Sequence, residues 1–172
     1  SRHKIFDDGT TAGCWQVLWP PAANNDLSRA DDSALVLLGN ISGTKILLLS
    51  DLSALGQSAL LSGTNDLRAD IVVAGLPGAS EPLSDSLTDA IQPRLIVIAD
   101  SEFPAMRRAS RKLKERLEQR QIPIIYTRDS GAVKIVVNQA GWKVETMDGQ
   151  NFDSSFQMHA AQGNVLRAAV QR

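Results

Sequence analysis

Two apolar runs end in a carboxylate: "KILLLSD" closes on Asp51 and "RLIVIAD" on Asp100. In open α/β sheets, ligands gather beyond the carboxyl ends of the strands. A carboxylate pair there would hold Mg²⁺ and serve a phosphohydrolase or nuclease. The same position also suits a helix cap, because an Asp side chain accepts from the free amides of a first helical turn. At Asp51, with a helix starting at Leu52, the cap is the favoured reading. Asp100 reads similarly, although Pro104 leaves a longer loop behind it.

Between these two lies "DIVVAGLPGASEPLSD", a buried-strand run into a glycine-punctuated loop. Backbone amides of "GLPGAS" would suit a phosphate, but the loop lacks the lysine of a phosphate-binding loop and does not fit the dinucleotide pattern. A plain turn is the better reading. Histidines are scarce: His3 lies near the start and His159 near the end, and Cys14 is the only cysteine. Zinc needs several nitrogen or sulfur ligands converging on one point, so neither a zinc site nor a Ser-His-Asp arrangement is expected.

The segment "MRRASRKLKERLEQR" carries Arg107, Arg108, Arg111, Lys112, Lys114, Arg116 and Arg120 against Glu115 and Glu118, an excess of five cations in a chain of net charge −1. Such a stripe would neutralise DNA phosphates, with Arg107, Arg108, Arg111, Lys112 and Lys114 as the candidate contacts. The plainer reading is a solvated helix face. No aromatics interleave with it, which weakens a single-strand reading.

These residues need a framework. The 172 residues, 43% apolar and 22% charged, suffice for one globular domain. "CWQVLW" reads as a strand stopped by Pro20–Pro21. "SALVLLG" and "TKILLLSD" read as two strands joined by "NISG" hairpin chemistry. "LSALGQSALLS" places Leu52, Leu55, Ala59 and Leu60 at helical spacing. "LSDSLTDAI" spaces Leu83, Leu87 and Ile91 four apart behind a Ser84 or Asp85 cap. Pro104 opens a helix to about Gln121 with Met106, Ala109, Leu113 and Leu117 on one face. "PIIYT", "GAVKIVV" and "WKVETM" are three further strands. Residues 1–13 form a lead-in, and 148–172 a polar tail with a short helix at Val165–Val170. The order specifies α/β with a mixed β-sheet and flanking helices. No apolar run approaches the ~18 residues of a membrane helix, and no signal peptide opens the chain. The start at Ser1 rather than Met reads as a piece of something longer.

In order and spacing, "VLWPP", "DDSALVLL", "LLLSD", "ADIVVAGLPGAS", "EFPAMRRA" and "TRDSGAV" resemble the extracytoplasmic domain of ComEC-type competence proteins, a branch of the metallo-β-lactamase superfamily. The match runs from Cys14 to about Val137. Asp51 matches the family's metal-bridging aspartate. Leu76 and Pro77 stand where its His-His pair belongs, Phe103 replaces the histidine before Pro104, and Trp19 replaces another. The family's His-x-His-x-Asp-His segment is not in the chain.

The resemblance therefore implies a degenerate, metal-free and non-catalytic domain without a cofactor. It further implies a soluble, extracytoplasmic part of a membrane-associated bacterial protein concerned with DNA uptake, acting as a scaffold or as a DNA- or protein-interaction module. It covers mainly the C-terminal half of an αββα sandwich. One apolar sheet face is thus expected to be uncovered and to take missing N-terminal sequence or a second copy.

Overall fold

The computed structural model describes residues 11–21, 29–63 and 66–155. In chain order, its strands are β1 (Thr11–Ala12), β2 (Trp15–Trp19), β3 (Val36–Ile41), β4 (Thr44–Ser50), β5 (Ile71–Ala74), β6 (Leu95–Ile98), β7 (Ile124–Tyr126), β8 (Val133–Asn138), β9 (Gly141–Thr146) and β10 (Asn151–Asp153). The helices are α1 (Ala54–Gly63), α2 (Asp85–Ile91), α3 (Arg111–Glu118) and the single turn α4 (Thr127–Ser130). Short 3-10 turns occupy Ala30–Ser33 and Ala105–Arg107.

Strands β1 to β7 form one mixed sheet in which spatial order equals chain order. The first four are antiparallel, and β4 to β7 are parallel. The β3–β4 hairpin turns on Ser42 and Gly43, both at positive φ, the backbone that a two-residue turn of this twist requires. Three parallel crossovers advance without reversing, so crossovers of one hand deliver α1, α2 and α3 to the same face. One buried cluster joins Leu47, Leu49, Val72, Ile96 and Ile98 of the sheet to Leu60, Leu87, Leu113 and Leu117 of those helices. Leu87 and Ile91 of α2, and Leu83 just ahead of its cap, are fully buried, each worth about 1.5–3 kcal/mol. Ser84 is the cap, accepting from the Leu87 amide.

The opposite face is not bare. Strands β8, β9 and β10 form a second, antiparallel sheet, and its Trp142 and Val144 close over Ile46, Ile71, Leu95, Val97 and Ile125. The expectation of an uncovered apolar face is corrected: the chain's own C-terminal strands supply the third layer. Trp15 and Ile41, on β2 and β3, and Leu48 and Val73, on β4 and β5, stay half-buried in this layer.

Two helix expectations also change. The run from Pro104 to Gln121 is broken into a 3-10 turn and α3, with Ser110 capping α3 through the Leu113 amide. Met106 is consequently 76% exposed and not part of the core face. In α1, Leu55 is 61% exposed while Gly56, Gln57 and Leu60 face inward, because the helix starts two residues later than its apolar spacing implies. The helix expected at Val165–Val170, most of the lead-in, and both histidines lie outside the described residues. Among the described residues, no helix is long and apolar enough to cross a membrane.

Candidate functional site

The carboxyl ends of β4, β5 and β6 meet around Asp51. Ser50, at positive φ, turns the chain out of β4, and its carbonyl accepts the Gly75 amide at 2.8 Å. That bond draws the loop after β5 against Asp51. A Cβ at Gly75 would overlap Asp51 Oδ1, so only glycine lets backbone and carboxylate approach this closely.

Asp51 does not cap α1. Ser53 does, its Oγ accepting from the Gly56 amide at 3.2 Å. The Asp51 carboxylate instead receives Arg107, whose Nη1 lies 2.5 Å from Oδ2 and 3.2 Å from the Leu76 carbonyl. Hydrogen bonding to Asp51 raises the Arg107 pKa, with the charge of Asp31 contributing in the same direction. Asp31 is fixed nearby: its Oδ2 accepts the Gly78 amide at 2.8 Å. Asp32 is buried and accepts the Ser53 hydroxyl at 2.5 Å. The 3-10 turn at Ala30–Ser33 thus bridges the loops that follow β4 and β5.

The four positions where the resembled family has histidines take different surroundings. Leu76 is buried in the core on the helix-bearing face, and Pro77 is buried beside it. Trp19 is buried, its indole N–H donating to the Asp32 carbonyl at 2.8 Å. Phe103 is 80% exposed, with the Arg108 guanidinium 5.8 Å from its ring centre. Carbon side chains offer zinc no lone pair. Among the described residues, no three His, Cys, Asp or Glu side chains converge as a metal-ligand set. The residues present do not fit the dinuclear centre that the resemblance would bring.

Asp100 is buried and engaged with backbone. Oδ1 accepts the Arg128 amide at 2.9 Å, and Oδ2 accepts the Ala109 amide at 3.3 Å. Its own amide and carbonyl exchange hydrogen bonds with the Thr127 hydroxyl. Asp100 therefore ties the segment entering α3 to the end of β7. Asp51 and Asp100 are each committed to protein donors, Asp51 to a guanidinium and Asp100 to amides.

The basic stripe is met by acids along its length. Besides Arg107, Arg108 pairs with Glu102 at 2.5 Å, Arg111 with Glu115 at 2.6 Å, and Lys114 with Asp129 at 3.2 Å. Arg116 reaches Glu81 and Asp85, and Arg120 reaches Asp85 and Asp89. Arg120 first, then Arg116, holds the Asp85 carboxyl below the usual carboxylate range. Of the seven cations, Lys112 alone has no acidic partner among the described residues. The excess of five counted along one segment is largely cancelled by Asp51, Glu81, Asp85, Asp89, Glu102 and Asp129 from other parts of the chain.

Sequence reasoning missed Arg107 as the group facing Asp51, and Asp31 and Asp32 as its neighbours. The signal available was the Asp-Asp pair before "SALV", together with an arginine on the loop that opens at Pro104. No known protein-family model matches the chain, and no curated protein matches it.

Proposed function

We propose that this chain is a non-catalytic, metallo-β-lactamase-like domain of a ComEC-like DNA-uptake protein, acting as a scaffold or interaction module on the extracytoplasmic side. The observation that carries the reading is the Asp51–Arg107 pair. At the end of β4, where the resembled family has a metal-bridging carboxylate, a guanidinium supplies the positive charge. An arginine is permanently charged and offers no open coordination position, so it can neutralise Asp51 but cannot activate water as a metal does.

Two further features support an inert site. Leu76 is packed into the core instead of presented to a ligand. Asp100, the other candidate for Mg²⁺, is buried and accepts one backbone amide on each oxygen, from Ala109 and Arg128. A phosphohydrolase built on Asp51 and Asp100 would have to break both arrangements. Direct DNA contact through Arg107, Arg108, Arg111, Lys112 and Lys114 is not favoured, because four of those five are ion-paired.

The test is a thermal-shift titration of the purified chain with Zn²⁺, Mn²⁺ and Mg²⁺. A metal bound to the folded state raises Tm by mass action. The expected result is no shift for wild type and none for Asp51→Asn. A saturable shift in wild type that Asp51→Asn abolishes would overturn the reading.

A further inference from the structure

The free edge of the second sheet is not absorbed by that site. Strand β8 stands last in the order β10-β9-β8, and among the described residues its only strand partner is β9. Its sequence, VKIVVN, alternates half-buried and exposed positions. Val133, Ile135 and Val137 lean on the cluster built around Trp142 and Val144. Lys134, Val136 and Asn138 face outward.

Natural sheets protect such an edge with proline, a bulge or charged side chains, lysine above all. Here β8 contains no proline, and its register with β9 runs unbroken from Val133↔Thr146 to Asn138↔Gly141. One guard is present: Lys134, the strand's single charge, is 71% exposed and only loosely paired with Glu145 on β9 at 3.5 Å. Val136, 37% exposed, sits in the middle of the outward row.

We propose that β8 is a homodimerisation edge, on which β8 of a second copy adds antiparallel to make one continuous six-stranded sheet across a twofold axis. The proposal rests on reading this chain as an interaction module. The strand is complementary to itself, as a twofold contact requires. With the axis at Ile135, Val133 faces Val137 of the partner subunit, and Ile135 faces its own equivalent. The apolar stripe is then continuous. On the outward side Lys134 lies opposite Val136 of the partner subunit, so no lysine meets a lysine and the lysine stem covers the exposed valine. A slip of one residue would set the inward row against the outward one and is excluded; of the two-residue slips, the axis at Lys134 sets lysine against lysine, and the axis at Val136 leaves Lys134 opposite Asn138. Main-chain hydrogen bonds supply the attraction, and the alternating side chains the specificity.

The test is the solution mass of the full chain across a range of concentrations, with two variants at Val136. Wild type should approach twice 18.6 kDa as concentration rises. Val136→Lys places like charges opposite each other and should raise the dimer Kd at least ~10-fold. Val136→Glu places an acid opposite Lys134 of the partner subunit and should hold or tighten the dimer, an effect that salt removes. Thermal melts of both variants report whether the monomer still folds, and the exposed position predicts that it does. A mass of 18.6 kDa at every concentration, or equal effects of Lys and Glu, overturns the proposal. Metal titration tests the inert-site reading separately, so failure of one leaves the other legible.

Discussion

Arg107 Nη1 lies 2.5 Å from Asp51 Oδ2 while also donating to the Leu76 carbonyl, so one guanidinium joins the ends of β4 and β5 to the loop after β6. The loop it anchors is also held by backbone bonds from Arg107 N to Pro104 O, Arg108 N to Ala105 O and Ser101 N to Arg107 O, by the Arg108–Glu102 pair, and at its end by the Ala109 amide on Asp100. Both partners are substantially solvent-exposed, so their pairing contributes little to global stability. Its effect is local. Arg107→Ala or Asp51→Asn should speed hydrogen exchange at the Ser101, Arg107 and Arg108 amides while leaving β4, β5 and β6 as protected as before. Unchanged exchange at those three amides would show that the pair does not hold the loop.

Gly75→Ala tests how tightly the loop after β5 is pressed against Asp51. The new methyl would overlap Asp51 Oδ1 and would lie 3.2 Å from the Ser50 carbonyl. Neither the backbone nor a carboxylate held by Arg107 yields freely, so a loss on the order of 1–3 kcal/mol is expected by denaturant melting. Asp51→Ala removes the first obstacle and leaves the second. The double variant should recover most of the loss, a coupling that a double-mutant cycle measures directly. Strict additivity would place the clash elsewhere.

Asp100 acts through backbone amides. Asp100→Ala would leave the buried Ala109 amide and the partly buried Arg128 amide without their acceptor, at a cost on the order of 2 kcal/mol or more. Asp100→Asn keeps one acceptor oxygen but turns an NH₂ toward one of those donors, so a loss of about half that size is expected. A catalytic carboxylate would instead leave stability unchanged or improved when removed, and chemical denaturation distinguishes the two.

The framework was readable from the sequence wherever a period repeated. Leu87 and Ile91, with Leu83 just ahead of the cap, mark α2 by their spacing of four, and two apolar runs joined by "NISG" mark the β3–β4 hairpin, because each signal lies in a single stretch of chain. The third layer was not readable. Whether β8, β9 and β10 extend the main sheet or fold back over it depends on the turn at Ser130–Gly131 and on contacts such as Arg94 over the Trp142 ring, which no local pattern records. The site split the same way. Asp51 at a strand end was visible, but its partner lies 56 positions along, and Arg107 looked like one more member of a basic run. The charge run misled for the same reason: its neutralising acids come from five separate segments.

Tyr126 is the chain's only tyrosine, so its titration can be followed without interference. Burial comes first among the causes that push its hydroxyl up to about 12, followed by the negative charges of Glu118, Asp100 and Asp129. Lys114 Nζ lies 4.3 Å from the ring centre, and the hydroxyl is buried with no hydrogen-bond partner among the described residues. The folded chain therefore keeps this proton at pH values where the unfolded chain, with an ordinary phenol near 10, releases it. Its contribution is fully present below pH ~10 and is lost as pH rises through about 12. Phenolate absorbance should accordingly appear near pH 12 in the folded protein and near 10 after denaturation. Tyr126→Phe removes an unsatisfied polar group, so it should leave stability at pH 7 unchanged or slightly raised and should flatten the loss between pH 10 and 12. A tyrosine that ionises at its ordinary pKa in the folded chain would mean that water reaches the hydroxyl beneath α3, and that the packing of Lys114 against this ring is looser than its 4.3 Å approach implies.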